Sequence, residues 1–188
     1  MSHSRAFLDE IALVAANYNS EHIEALAAVL AALEGRLFIL GAGGSAANAS
    51  HAVNDFRKLC GIEAYAPTDN IAELTAWTND EGWPSFFQEW LVESRLEKSD
   101  AILILSVGGG SEQVSAGLIH AITYARFMGA AVYAIVGLQG YAAQNSDVCV
   151  LLPEVKKQWL TPIAESLQSV ILHSLTSHPW LQKRPTKW

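Results

Sequence analysis

Cysteine is nearly absent from this chain: among 188 residues there are two, Cys60 and Cys149. Two cysteines cannot form a disulfide framework, and their spacing matches no zinc motif, so buried reduced thiols are expected. Basic residues are also scarce, with 12 Lys and Arg against 19 Asp and Glu and a net charge of −7. That balance excludes a nucleic-acid backbone as the main partner. No apolar run approaches the roughly 18 residues of a membrane span, and no basic segment followed by an apolar core opens the chain. Neither a membrane partner nor export is therefore expected, and a cytoplasmic location is. There is no repeat of fixed period, no low-complexity tract and no dividing linker, so residues 1–188 read as one domain. Charged residues make up only 16% while hydrophobic ones make up 51%. This is apolar for a monomer of this size, and a homo-oligomer is expected.

What the chain does have is two glycine-rich turns, Gly41-Ala42-Gly43-Gly44-Ser45 and Gly108-Gly109-Gly110-Ser111. Each follows an apolar run, Leu37 to Leu40 or Ala101 to Leu105, and each precedes a helical pattern. Such a turn gathers backbone N–H groups and a helix N-terminus at one point, so an anion can bind without a basic side chain. A negative net charge is no obstacle to this, because the backbone dipoles act locally.

Along the chain, Phe7 to Leu33 read as one long amphipathic helix closed by Gly35. Strands are expected at Leu37 to Leu40, Glu63 to Ala66, Ala101 to Leu105, Ala131 to Val136 and Asp147 to Leu151. Helical stretches are expected at Ala46 to Leu59, Ile71 to Trp77, Ser85 to Arg95, Glu112 to Met128 and Pro162 to Ser177, with a short turn around Tyr141 to Asn145. Five apolar runs separated by helices imply a parallel sheet covered on both faces, since each crossover is made by a helix. The predicted fold is a flavodoxin-like, doubly wound α/β domain with five parallel strands and a long N-terminal helix. Two glycine turns at the carboxyl ends of neighbouring strands would frame one crevice, where open α/β sheets bind ligands. The tail, residues 178–188, carries Trp180, Trp188 and two prolines. It is expected either to be loose or to pack on a partner subunit.

Taken together, the first turn, the segment His51-Ala52-Val53-Asn54-Asp55, the Asn79-Asp80 pair and the second turn from Ser106 to Ser111 resemble the sugar isomerase domain. Within that superfamily the likeness is greatest to the bacterial phosphoheptose isomerases. The resemblance implies an aldose-ketose isomerase acting on sedoheptulose 7-phosphate. It also implies a homotetramer whose active sites borrow residues across subunits, with residues 1–34 serving oligomerisation. The family's second turn reads Ser-Thr-Ser-Gly-Asn-Ser. Here Ser106 and Ser111 match its first and last serines, and Val107, Gly108 and Gly110 replace three polar residues, with loss of at least two hydroxyl ligands. Phosphate would be held by Gly43, Gly44, Ser45, Ser106, Ser111 and the amides of Gly108, Gly109 and Gly110. Asp80 matches a family aspartate near the substrate, or caps the turn before the next helix.

Isomerisation through an enediol needs a base beside C1 and C2 of the sugar and a second group to manage the oxygens. The family's base is a glutamate, and Asp55 takes that position with one methylene fewer. Its second group is a histidine of the last helix, a position that alignment gives to Leu172, with His173 one residue on. In some family members zinc binds the histidine and glutamate matched by His51 and Asp55, together with a glutamine and histidine of the last helix. The i, i+4 spacing of His51 and Asp55 suits one metal. Alignment puts Ala164 at the glutamine, which removes a ligand, so no cofactor is required and zinc is the one that would fit.

Two other readings compete. Gly41, Gly43 and Ala46 satisfy G-x-G-x-x-A with Glu63 about 20 residues on, as in a dinucleotide site. That acidic residue should end the second strand, however, and Glu63 begins it. Alternatively, Ser45-Ala46-Ala47-Asn48-Ala49 and Thr68-Asp69-Asn70 resemble the DnaA initiator-associating protein, a non-catalytic member that binds a protein. Six tryptophans are expected mainly at core and interface, and Trp77, Trp83 and Trp90 would alternatively stack on sugar.

Overall fold

The computed structural model describes residues 1–187; Trp188 lies outside the described residues. Three apolar runs are buried throughout their length or nearly so and form the centre of the sheet: β1 (Leu37–Leu40), β3 (Ala101–Ser106) and β4 (Ala131–Val136). β2 (Ala64–Tyr65) and β5 (Val148–Leu151) complete five parallel strands in the order β2-β1-β3-β4-β5. Burial on both faces is what lets the central strands dispense with polar alternation. Side chains divide by parity. Leu37, Ile39, Leu103, Leu105 and Ile135 meet one helical layer, and Phe38, Leu40, Ile102, Ile104, Ala134 and Val136 meet the other.

The first layer holds α2 (Ser20–Ala31), α3 (Gly44–Asp55) and α8 (Leu160–Thr176), through Leu26, Leu30, Ala49, Ala52, Ile171 and Leu175. The second holds α5 (Phe86–Glu93), α6 (Ala116–Met128) and the short α7 (Tyr141–Asn145). α4 (Ile71–Asp80) packs beside it through Leu74 and Trp77. Strand order reverses between β1 and β3. The loops after their carboxyl ends, which are the two glycine turns, therefore flank the crevice of the doubly wound fold.

Several elements differ from the periodicity. The single N-terminal helix is two, α1 (His3–Ala16) and α2, broken at Asn17–Asn19. Asn17 Nδ2 donates to Leu13 O at 2.8 Å, and Asn19 Oδ1 accepts from Glu21 N at 3.0 Å to cap α2. These asparagines close one helix and start the next, a local competition that apolar spacing does not register. α1 packs Phe7, Ile11 and Val14 against Ile163, Ala164 and Leu167 of α8. Glu10 fixes it further, accepting from Lys156 N at 3.0 Å and pairing with Lys156 Nζ at 2.7 Å; these bonds hold its carboxyl below the usual range. The second turn does not open directly into a helix, because α6 begins only at Ala116. Ser111 instead folds residues 111–114 into a tight turn, N–H to Val114 O at 2.8 Å and Oγ from Val114 N at 3.1 Å.

At the opposite end of the sheet Asp100, 2% exposed, joins the starts of β1 and β3. Its carboxylate accepts from Arg36 N (2.8 Å), Arg36 Nη2 (2.7 Å) and Glu97 N (2.9 Å). The tail is anchored: Leu181 is buried, and the amides of Lys183 and Arg184 donate to Leu59 O. Among the described residues no helix is long and apolar enough to cross a membrane.

Candidate active site

The first turn leaves β1 at Gly41 and enters α3 at Gly44, with Gly43 at φ +61°, a conformation that favours glycine. Ser45 is buried and donates to Gln168 Oε1 at 3.0 Å. Asn48 Nδ2 donates to the same oxygen (3.2 Å) and to Glu165 O (2.8 Å), so the polar edges of α3 and α8 are tied together below the turn. Gln168 is fully buried and its Nε2 has no acceptor among the described residues. The carboxylate of Glu165 lies directly against Gly44: a Cβ added there would sit 2.4 Å from Oε2.

In the second turn, Ser106 Oγ accepts from Gly109 N at 3.0 Å. Gly109 O and Gly110 O accept from Ala142 N (2.8 Å) and Tyr141 N (3.1 Å), which fastens the loop to the head of α7. Amides of Gly109 and Ser111 are thus engaged internally, and those of Gly108 and Gly110 have no partner among the described residues. Between the turns lies a cleft of about 150 Å³ lined by Ala42, Ser45, Ser106, Val107, Gly108 and Glu165. Asp80 does not join it. It ends α4, is exposed, and accepts from Asn79 Nδ2 at 2.7 Å.

Further along the same pair of helices, His51 and Asp55 of α3 converge with His173 of α8. His51 Nε2 and His173 Nε2 are 2.9 Å apart, so one ring donates and the other accepts. Asp55 Oδ2 lies 3.4 Å from His51 Nε2 and 3.7 Å from His173 Nε2. The carboxylate is mostly covered (14% exposed) and the two imidazoles are open (54% and 55%). The group faces a cavity of about 360 Å³, bordered also by Lys58, Ser177 and Lys187 of the tail.

Two alignment positions are corrected here. Leu172 is 3% exposed and packs in the core, so His173, not its neighbour, faces Asp55. Ala164 is likewise core, and the polar side chain on the cleft is Glu165. A one-residue error turns a helical side chain by about 100°, which exchanges a cleft position for a core one. Glu165 and Gln168 were not singled out from the sequence. The signal was available, because Ala164, Leu167, Ile171, Leu172 and Leu175 trace the buried stripe of α8 and leave 165 and 173 on its border.

Glu63 sits at the start of β2, its carbonyl accepting from Leu37 N, at the end of the sheet away from the glycine turns. It therefore does not stand at the carboxyl end of the second strand, where the acidic residue of a dinucleotide site belongs. A cavity of about 550 Å³ is at that far end, around the Arg36–Asp100 pair, and contains neither glycine turn nor the histidines. Cys60 is free and buried, with its thiol pushed up to about 11 by burial and by the charge of Asp55; Cys149 is free and half-buried. Trp90 is committed to Glu73 through its indole N–H (2.7 Å), whereas Trp83 and Trp180 are exposed.

A family model described as SIS domain matches residues 4–137. The chain is 37% identical over 144 residues to lincomycin biosynthesis protein LmbN of Streptomyces lincolnensis, covering 72% of this chain and 52% of that one. It is 34% identical over 146 residues to a phosphoheptose isomerase of Chlorobium phaeobacteroides, covering 72% and 62%. The chain thus spans about half the length of the first relative and less than two thirds of the second. Among solved structures, the phosphoheptose isomerase GmhA of Neisseria gonorrhoeae superposes with a TM-score of 0.77 over 93% of each chain at 21% identity, a likeness of fold.

Proposed function

The chain belongs to the SIS domain family, and from that premise we propose that it is a sugar-phosphate isomerase of the aldose-ketose type, acting on sedoheptulose 7-phosphate or a sugar of that class. The observation that carries this reading is the convergence of His51, Asp55 and His173. A shielded carboxylate beside two solvent-open imidazoles supplies what an enediol route needs. Asp55 takes the proton from the carbon next to the carbonyl and returns it to the neighbouring carbon. The histidine pair exchanges protons with the two oxygens, one ring donating while the other accepts. A binding-only relative has no need of this arrangement, which favours the catalytic reading over the non-catalytic one.

His51 and Asp55 follow Gly44 by seven and eleven residues, so at about 1.5 Å per residue they lie roughly 10 to 16 Å down α3 from the glycine turns. One chain therefore separates its proton-transfer group from its phosphate cradle by about the length of an extended sugar phosphate or more. A homo-oligomer, such as the expected tetramer, resolves this when the second turn of one copy holds the phosphate and the His51–Asp55–His173 group of another takes the reacting carbons. Exposed Leu8 and Leu13 of α1 and Val170 of α8 offer apolar surface for such contacts.

The same three side chains fit zinc: their ligand atoms all lie within 4.8 Å of one another, and two imidazoles with a carboxylate are a zinc donor set. When bound there, the ion would polarise the substrate carbonyl as a Lewis acid. The test of the function is incubation of the purified protein with sedoheptulose 7-phosphate and detection of the aldose 7-phosphate. Product with wild type and its loss in Asp55→Asn is the expected result. Undiminished turnover in Asp55→Asn would show that another group is the base.

A further inference from the structure

We propose that Glu165 is the specificity-determining residue of the cleft: it sets the protein's own carboxylate on the wall at the head of α3, across from the second turn. The cleft then takes a ligand with a single phosphate, held on the second turn with the hydroxyl nearest that phosphate turned toward Glu165 and the reacting carbons reaching the partner copy. This rests on the sugar-phosphate reading and adds to it the ligand's charge and direction.

Three observations carry the inference. The carboxylate lies against Gly44, where an added Cβ would sit 2.4 Å from Oε2, so a side chain at 44 would have to displace it. A negative charge therefore already stands beside the first residue of α3, the end of a helix that favours negative charge. Next, Glu165 is held in register by its neighbours. Its carbonyl takes the Asn48 amide at 2.8 Å, and one turn on Gln168 ties the same Asn48 and Ser45. Finally, the opposite wall is kept open. A Cβ at Gly108 would meet nothing within 4 Å and the residue has no positive φ, so no backbone demand explains glycine there. The unpartnered amide of the exposed Gly108 leaves that side the anion-accepting one.

A carboxylate across so small a cleft repels a second anionic group and accepts hydrogen bonds from hydroxyls. A sugar phosphate consequently binds in one direction, and a sugar carrying a phosphate at each end is refused. The test is calorimetric titration of the full chain with sedoheptulose 7-phosphate and with fructose 1,6-bisphosphate, for wild type, Glu165→Gln and Glu165→Ala. Gln keeps the shape and removes the charge; Ala covers the case in which the Gln amide finds a new partner. Wild type is expected to bind the monophosphate at least tenfold more tightly than the bisphosphate, and both variants to reduce that ratio at least fivefold. A ratio unchanged in both variants overturns the role of Glu165 while leaving the sugar-phosphate reading intact. Absence of monophosphate binding by wild type overturns both.

Discussion

Replacing Asp100 with alanine tests whether the end of the sheet opposite the cleft is what holds β1 and β3 in register. The carboxylate is 2% exposed and accepts from the amides of Arg36 and Glu97 and from the Arg36 guanidinium. In Asp100→Ala the two amides lose their acceptor, at about 1 to 3 kcal/mol each where water cannot replace it. The guanidinium is not stranded, because Arg36 also donates to Ser94 O and Arg95 O at 2.9 Å and its side chain is 27% exposed. The loss should therefore fall at the lower end of that for breaking a buried ion pair, about 3 kcal/mol, or a fall in Tm of about 10 °C for a domain of this size.

The same variant makes a prediction about pH. Burial alone would raise the Asp100 carboxyl, but its bonds from Arg36 and Glu97 outweigh that and hold it below the ordinary value. A carboxyl lowered on folding stabilises the protein at pH above its unfolded value of about 3.9, and that stabilisation is lost as the pH falls through the lower folded value. Thermal unfolding followed by circular dichroism, at fixed protein concentration, should show a wild-type advantage that is full at pH 7 and shrinks toward pH 3. A fall in Tm of less than about 3 °C, or a gap that does not narrow in acid, would refute the reasoning.

Three other outcomes are expected. Leu103→Ala, at a fully buried position of the central strand, should cost about 2 to 5 kcal/mol and lower the urea midpoint without changing the slope. Zinc retained after gel filtration and measured by plasma mass spectrometry should fall in His51→Ala and in His173→Ala; equal retention in both would place any zinc elsewhere. Gly108→Ser, entering open space, should leave Tm within about 2 °C and tighten inorganic phosphate binding by adding a hydroxyl to the second turn.

Much of the fold was legible because its strands are short apolar runs bounded by glycine and proline, a pattern that a sheet covered on both faces imposes. Strand Ala131–Val136 was predicted to the residue, and the doubly wound order follows from helical crossovers. What was missed depends on side-chain bonds or on phase. The break at Asn17–Asn19 is made by two asparagine caps inside an otherwise continuous apolar period. The delayed start of α6 is made by Ser111 binding Val114. In the last helix an alignment one residue out of phase placed Leu172 and Ala164 where His173 and Glu165 stand, though the apolar stripe of the helix itself gives the correct phase. That the Glu165 carboxylate lies beside Gly44 of the first turn depends on α3 lying beside α8, a tertiary fact that neither segment carries alone.

The central claim, proton transfer by the Asp55 group, is tested most directly by isotope exchange. With wild type in D2O and sedoheptulose 7-phosphate, proton NMR should show deuterium entering C1 of the recovered ketose, with exchange slowed at least a hundredfold in Asp55→Asn. Uptake undiminished in the variant would contradict the account.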